Sequence, residues 1–415
     1  MKRKAFLLLG ILLCLFASAS AQKAKVKTGI EVLKERHFDI LVGKRVALIT
    51  NPTGITSNFQ STIDILYSAS GVRLVALLSP EHGIRGDVPA GKEANNGFDV
   101  VTGLPVYSLY GRTRKPTEEM LDSVDVIVYD IQDIGVRSYT YISTLGLAME
   151  AAAERKIPFV VLDRPNPLTG VRVEGTMLNP SFKSFIGAYP IPYVYGMTVG
   201  ELARMINGEK WLGDGALTCE LTVIPMEGWH RSMWWDETGL PWVPTSPHIP
   251  HSFTPMYYVM TGLLGELGTA NQGVGYTLPF ELVGAPWING AVLARYLNSL
   301  SIPGVQFRAM TYTPFYMDTT GILYRGVQIH VMNRDEVSFT RVQLSVLHAL
   351  VTLFPDYDIF IRARPEKLLA FDKAIGSDSI RRALQNGTSI EYLLKTIDQQ
   401  CSAFCKQRQR YLLYK

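Results

Sequence analysis

The chain has 415 residues, 47% of them hydrophobic and 19% charged, with a formal net charge of +4. That length exceeds one ordinary core and predicts about two domains, and the composition excludes a low-complexity class. Three of the cations lie in the first four residues, so +4 minus three leaves +1 for residues 22–415, a balance that excludes an electrostatic footprint for nucleic acid or anionic membrane.

Lys2, Arg3 and Lys4 precede an apolar run, Phe6 to Phe16, too short to remain as a spanning helix, and Ala19-Ser20-Ala21 is a small-residue cleavage site. Residues 1–21 are therefore expected to be a signal peptide, cleaved after Ala21, that exports the chain to the periplasm. Lipoprotein anchoring through Cys14 is the less favoured route, because its surroundings make a poor lipoprotein signal. No other apolar stretch is long enough to cross a bilayer. Cys219, Cys401 and Cys405 are too sparse for a disulfide framework. The last two share a helix face and are expected as ordinary half-buried thiols rather than as a bridge or metal pair.

From Lys44 onward, short β-branched runs alternate with helical periods. Arg45 to Ile49, Val72 to Leu78, Val124 to Tyr129 and Phe159 to Leu162 read as strands; Ser61 to Tyr67 and the Ile142, Leu145, Met149, Ala152 series read as helices. This alternation predicts a parallel sheet covered on both faces. Thr198 and Glu201 form a capping box ahead of Leu202, Met205 and Ile206. After a boundary at Pro247 to Pro255 come a helix (Ala291 to Leu300), two strands (Gly304 to Thr311, Gly321 to Val331), a helix (Val342 to Leu353) and a terminal helix carrying Ile390, Leu393, Leu394 and Ile397. The expected division is a Rossmann-like catalytic domain over 22–252 and a smaller α+β domain over 253–415.

Each early strand runs into a polar loop: Asn51-Pro52-Thr53-Gly54, Ser79-Pro80-Glu81-His82-Gly83, Asp130-Ile131-Gln132-Asp133 and Asp163-Arg164-Pro165-Asn166-Pro167. In a parallel sheet these loops converge on one edge, where open α/β sheets bind ligands. Gly-x-Ser-x-Gly, the P-loop, Gly-x-Gly-x-x-Gly and His-Glu-x-x-His are all absent, which disfavours serine-hydrolase, nucleotide and zinc-protease chemistry. Pro80 gives Glu81 a stiff, extended mounting. A glutamate in a partly apolar crevice suits a general acid that protonates a glycosidic oxygen; the alternative is a local ion pair with Arg85. Asp130 is favoured over Asp133 for chemistry, since Asp133 is placed to cap a helix near Gly135. Tyr139 and Tyr141 could stack on a sugar, and Arg137 could grip a carboxylate. In the fourth loop Asp163, Arg164 and Asn166 suit hydroxyl or carboxylate recognition, against the alternative of an Asp–Arg pair stiffening the loop, and Glu174 is a further candidate acid. His248 and His251 lack a third metal ligand nearby. Trp229, Trp234, Trp235 and Trp242 read equally as a sugar-stacking wall or a packed lid.

Together with Thr102 to Gly111, Tyr139 to Leu145 and Leu168, these loop segments resemble, in order and from about Gly29 to the C-terminus, the exo-β-N-acetylmuramidase family. The resemblance implies a Rossmann-like N-terminal domain, a smaller C-terminal domain, no nucleotide or metal cofactor, and removal of N-acetylmuramic acid from the non-reducing end of peptidoglycan fragments. It places the family's catalytic glutamate at Glu81 and its Asp-Arg-Pro-Asn-Pro segment at Asp163 to Pro167. One stretch departs: Gly268 to Thr277 lacks an arginine that many relatives carry, and Tyr276 sits near its place, which puts the choice of sugar in question. The expected site is Glu81 as general acid, with Asp130 or the substrate's own acetamido group supporting the transition state. Asn51, His82, Arg137, Tyr139, Tyr141, Asp163, Arg164, Asn166, Glu174 and Asn271 are expected to bind the sugar, with no metal, no cofactor and no nucleic-acid partner; oligomeric state stays open. The rival classes are a non-catalytic muropeptide-binding protein and an esterase or amidase.

Overall fold

The computed structural model describes residues 26–86, 96–316 and 320–415; the expected signal peptide and Cys14 lie outside them. The chain is α/β. Its main sheet has seven strands: β1 (Arg45–Thr50), β2 (Arg73–Ser79), β3 (Gly97–Phe98), β4 (Pro105–Ser108), β5 (Val126–Asp130), β6 (Phe159–Leu162) and β7 (Leu221–Ile224). They run in the order β3-β4-β2-β1-β5-β6-β7, all parallel except the β3–β4 edge pair. A second, antiparallel sheet has the order β8-β10-β9, with β8 (Leu282–Ala285), β9 (Val305–Tyr312) and β10 (Tyr324–Val331).

The central strands are apolar on both faces because both faces are covered. Ala47 and Ile49 of β1, Ile127 and Tyr129 of β5, and Phe159 and Val161 of β6 enter one core. Val46, Leu48, Val126, Val128, Val160 and Leu162 point the other way, into a second. The first core runs without a break into the C-terminal half, through Leu282, Val283, Phe339 and Leu347. The chain end returns to the main sheet as well. Arg408 donates to the carbonyls of Gly170 and Tyr195, and the Tyr414 hydroxyl donates to Asp163 at 2.5 Å.

Most boundaries match the sequence expectation within two residues, including the capping box that opens the helix Val199–Gly208 through Thr198 and Glu201. The helix Thr254–Leu267 was not expected. It is apolar nearly all round, so no 3.6-residue stripe marks it, and only Pro255 in its first turn hints at a start. Among the described residues no helix is long and apolar enough to cross a membrane. Cys219, Cys401 and Cys405 are all free thiols.

Arg137 corrects an expectation here. It is fully buried and donates to the carbonyls of Ile191 (2.7 Å), Ala374 (3.1 Å) and Ile375 (2.7 Å), as well as Thr176. It therefore cannot grip a substrate carboxylate; it fastens the loop after β5 to the end of the helix Pro365–Ile375. Arg137→Met would strand these buried acceptors and should lower unfolding free energy by about 3 kcal/mol or more in a urea titration. Unchanged stability would remove this joint from the account of how the two halves are held.

Candidate active site

Strand order sets where a ligand could enter. From β1 the chain proceeds to β2 on one side, whereas from β5 it proceeds to β6 on the other, and β1 and β5 are neighbours with Thr50 paired to Asp130. Such a switch point ordinarily opens a crevice at the strand ends. Here it is filled by the protein's own groups. Asp130 accepts from Arg164 Nε at 2.5 Å and Nη2 at 2.9 Å, and from Thr62 Oγ1 at 2.5 Å. Arg164 Nη2 also donates to the Ile55 carbonyl. The cavity left among Thr53, Ile55, Gln132, Arg164 and Trp235 is about 10 Å³, barely room for one water.

Asp130 is thus 0% exposed with both oxygens engaged, which corrects its expected catalytic role: no anomeric carbon can reach it. Arg164 is the Asp130 partner rather than a sugar ligand. The remaining loop residues are similarly committed. Asp163 accepts from Thr198 Oγ1, the Gly200 N–H and Tyr414, capping a helix, and burial raises its carboxyl to about 6. Asn166 accepts from the Leu168 N–H and donates to the Met197 carbonyl. Glu174 pairs with Arg172 and accepts from Ser338 and the Thr340 N–H, so it is not a spare acid. Asn271 is spent on Gly273, Val274 and Tyr312. Asn51 accepts twice from Thr53 through Oδ1. Tyr139 and Tyr141 are buried, pack edge to face at 4.9 Å, and donate to Thr245, so they floor the site instead of stacking on a sugar. Trp229, Trp234 and Trp235 are packed inside the fold rather than forming a wall.

Asp133 accepts on Oδ1 from the Tyr195 hydroxyl (2.5 Å) and the Gly135 N–H (2.7 Å), while buried Oδ2 has no partner. It closes a turn at Gly135 rather than capping a helix, whose first residue is Tyr141. Burial raises its carboxyl to about 7.

What the edge leaves accessible is Glu81, one strand further out. It is half-buried after Pro80 and accepts from the Thr140 hydroxyl at 2.7 Å. Tyr110, from the loop after β4, hydrogen-bonds the same carboxylate; burial, then the Glu81 charge, pushes its phenol up to about 12. His82 follows in the left-handed region at φ 75°, a conformation disfavoured for a non-glycine residue and concentrated at functional sites. Arg85 pairs with Asp99 at 2.6 Å. Across from His82 lies His248, whose basicity is lowered by burial and then by His82. Its ring stacks on Tyr316 at 6.1 Å, and Phe315 and Tyr276 continue the aromatic band. Phe315 and Tyr316 are solvent-exposed. Thr140, Tyr110 and Tyr316 were not singled out as site residues in sequence, whereas His248 was weighed only as a metal ligand and Tyr276 only as the residue near a missing arginine. Tyr110 and Thr140 stand at strand-end loops and were findable by that signal; the band comes from the C-terminal half and was not. Among the described residues no group of three or more His, Cys, Asp or Glu could hold a metal.

A half-buried glutamate mounted at the carboxyl edge of a parallel sheet, with an aromatic band beginning at the neighbouring His248, is an arrangement suited to an α/β glycoside hydrolase. The comparisons name its family. Residues 46–253 match the N-terminal domain, and residues 256–414 the C-terminal domain, of exo-β-N-acetylmuramidase NamZ. The chain is 45% identical over 395 residues to the peptidoglycan β-N-acetylmuramidase NamZ of Bacillus subtilis strain 168, covering 95% of this chain and 93% of that one. Two crystal structures of DUF1343 family proteins from Bacteroides fragilis NCTC 9343 are similar, at 48% identity with TM-score 0.89 and 31% identity with TM-score 0.73. Each comparison covers 94% of this chain and 99% of the other. The chain belongs to the NamZ family of exo-β-N-acetylmuramidases.

Two outcomes are expected. Asp130→Asn leaves Arg164 buried without its counter-charge and should cost about 3–5 kcal/mol in urea unfolding, while activity per folded molecule persists. Loss of turnover in fully folded Asp130→Asn would restore Asp130 to the chemistry. For Asp133 the folded carboxyl holds its proton above the unfolded value near 4, so its contribution is present below about pH 4 and is lost as pH rises toward 7. Asp133→Asn should therefore gain stability relative to wild type across that window. A pH-independent difference between the two proteins would contradict the assignment.

Proposed function

We propose that this protein is an exo-acting glycosidase that releases terminal N-acetylmuramic acid, or a closely related N-acetylated sugar, from the non-reducing end of peptidoglycan fragments. The observation that carries the reading is Glu81: a carboxylate on a proline-stiffened strand end, held by Thr140 and Tyr110, and followed by His82, which lies within electrostatic reach of His248 and so of the aromatic band that begins there and can accept a sugar face. Glu81 is the general acid, giving its proton to the glycosidic oxygen as the C1–O bond breaks. The Thr140 hydroxyl and Tyr110 phenol fix the direction of that proton. A lactyl carboxylate on the sugar would find a cation in Arg114, which lies within electrostatic reach of Tyr110 and 4.5 Å over the Phe185 ring. On the C-terminal side Tyr276 packs against Tyr312 and Phe315, so that wall is aromatic at this point.

Export to the periplasm belongs to the same proposal. Its support is the basic, apolar and small-residue order of positions 2–21 together with the location of the polymer from which such a substrate derives.

The test is release of sugar from chromogenic β-glycosides of N-acetylmuramic acid and N-acetylglucosamine. Release from the muramic glycoside is expected, with Glu81→Gln lowering kcat by about 10²–10⁴-fold and leaving product binding intact. Saturable binding without turnover by the wild-type protein would favour the binding-protein class. Preference for the N-acetylglucosamine glycoside would move the specificity to the sugar lacking the lactyl group.

A further inference from the structure

Displacing Asp130 from the chemistry leaves hydrolysis with one carboxylate, and the structure supplies another from the opposite half of the chain. Glu266 stands in the last turn of the helix Thr254–Leu267. Tyr258, Gly262 and Glu266 recur every four residues and so share one face of that helix. The Tyr258 end of this face is docked on the catalytic loop: its hydroxyl meets Ser138 Oγ at 3.2 Å, and Ser138 donates to Tyr193 at 3.0 Å. Ser138 is two residues from Thr140, which holds Glu81. Gly262 has no side chain, and the atoms nearest to a Cβ built there belong to the Tyr258 ring, at 3.4 Å. Glu266 lies two turns along the helix from the Tyr258 dock, within electrostatic reach of Glu81 and of Tyr110, which hydrogen-bonds Glu81.

Three further features separate Glu266 from a structural carboxylate. It forms no hydrogen bond and no ion pair within the described residues, in contrast to Asp130, Asp163, Glu174 and Glu201. Lys367 is within electrostatic reach of it, and no ion pair joins the two. Its carboxyl is raised by burial first, lowered by Lys367 and raised again by Glu81, and the phenols of Tyr110, Tyr193 and Tyr258 all feel its charge. A largely enclosed carboxylate with no partner among the described residues is costly to keep unless its oxygens serve a ligand or a water. Glu81 and Glu266 lie within electrostatic reach of each other, and among the described residues no hydrogen bond joins them; an inverting pair of carboxylates stands far enough apart to admit a water.

We propose that Glu266 is the second catalytic carboxylate, the general base that takes a proton from the attacking water. The proposal rests on the glycosidase reading above and assigns the group that reading lacks. Glu81 gives its proton to the glycosidic oxygen, which leaves with the C1–O bonding pair. The water oxygen forms the new bond to C1 on the opposite face, and the water proton passes to Glu266. Glu81 ends ionised, Glu266 ends protonated, and exchange with solvent resets both. A β-glycoside is thereby released first as the α-anomer.

The test compares wild type, Glu81→Gln, Glu266→Gln and Glu266→Ala on 4-nitrophenyl β-N-acetylmuramide, with the first-formed anomer read by proton NMR. Turnover by wild type that is absent in Glu81→Gln establishes the glycosidase independently of this inference; an inactive wild type sinks the glycosidase reading itself. Given an active wild type, Glu266→Gln should lose about 100-fold or more in kcat with KM little changed. Glu266→Ala should recover turnover in azide, which needs no base, and yield the α-glycosyl azide. That recovery also shows that the variant is folded. Near-normal kcat in Glu266→Gln, failure of azide to restore Glu266→Ala, or first release of the β-anomer would each overturn the base assignment while leaving the glycosidase intact.

Discussion

The buried ion pair between Asp130 and Arg164 is the constraint on which the site depends. It lies where an open parallel sheet ordinarily receives its ligand, and Thr62 and the Ile55 carbonyl complete its hydrogen bonds. A buried pair of this kind adds little net stability compared with apolar packing, but removing one partner is severe. Its consequence is geometric. Because Arg164 belongs to the loop after β6, Asp130 to the end of β5 and Thr62 to the helix after β1, one interaction locks three strand ends together and closes the switch point.

With that crevice sealed, ligand chemistry moves toward the β2–β4 side, where Glu81 and Tyr110 leave adjacent strands. The other wall comes from the second half of the chain through His248, Tyr276, Phe315, Tyr316 and the helix ending at Glu266. The cleft therefore exists only if the two halves are held in fixed relation. Three joints do this. Arg137 binds the carbonyls at the end of the helix Pro365–Ile375, Arg408 binds carbonyls at Gly170 and Tyr195, and Tyr414 reaches Asp163. The most polar residues of the loops are thus spent on positioning, which leaves few groups for chemistry.

That division explains what could be read without coordinates. The parallel sheet was legible because its central strands must be apolar on both faces, a pattern few other structures require. The convergence of four polar loops followed from strand direction alone, and Glu81 stood out because Pro80 and the family resemblance both marked it. Arg137, Asp130, Asp163, Asn166 and Glu174 were misjudged for a common reason. A charged side chain that binds a ligand and one that binds buried carbonyls, a helix end or a counter-ion have the same sequence appearance, and burial distinguishes them. Glu266 was missed because it lies at the end of a helix whose apolar surroundings give no periodic signal.

The sequence by itself determined the α/β class and the convergence of the polar loops on one edge of the sheet, and it singled out Glu81 as a candidate acid, because these follow from local periodicity, strand direction and residue type. Only the tertiary structure decided which polar residues face solvent, that the switch point is closed and that a second carboxylate reaches the cleft from the far half of the chain. Those outcomes depend on contacts between residues more than a hundred positions apart, such as Arg164 with Ile55 and Asp163 with Tyr414 across 251 positions, and no local pattern encodes which distant partner a side chain will meet.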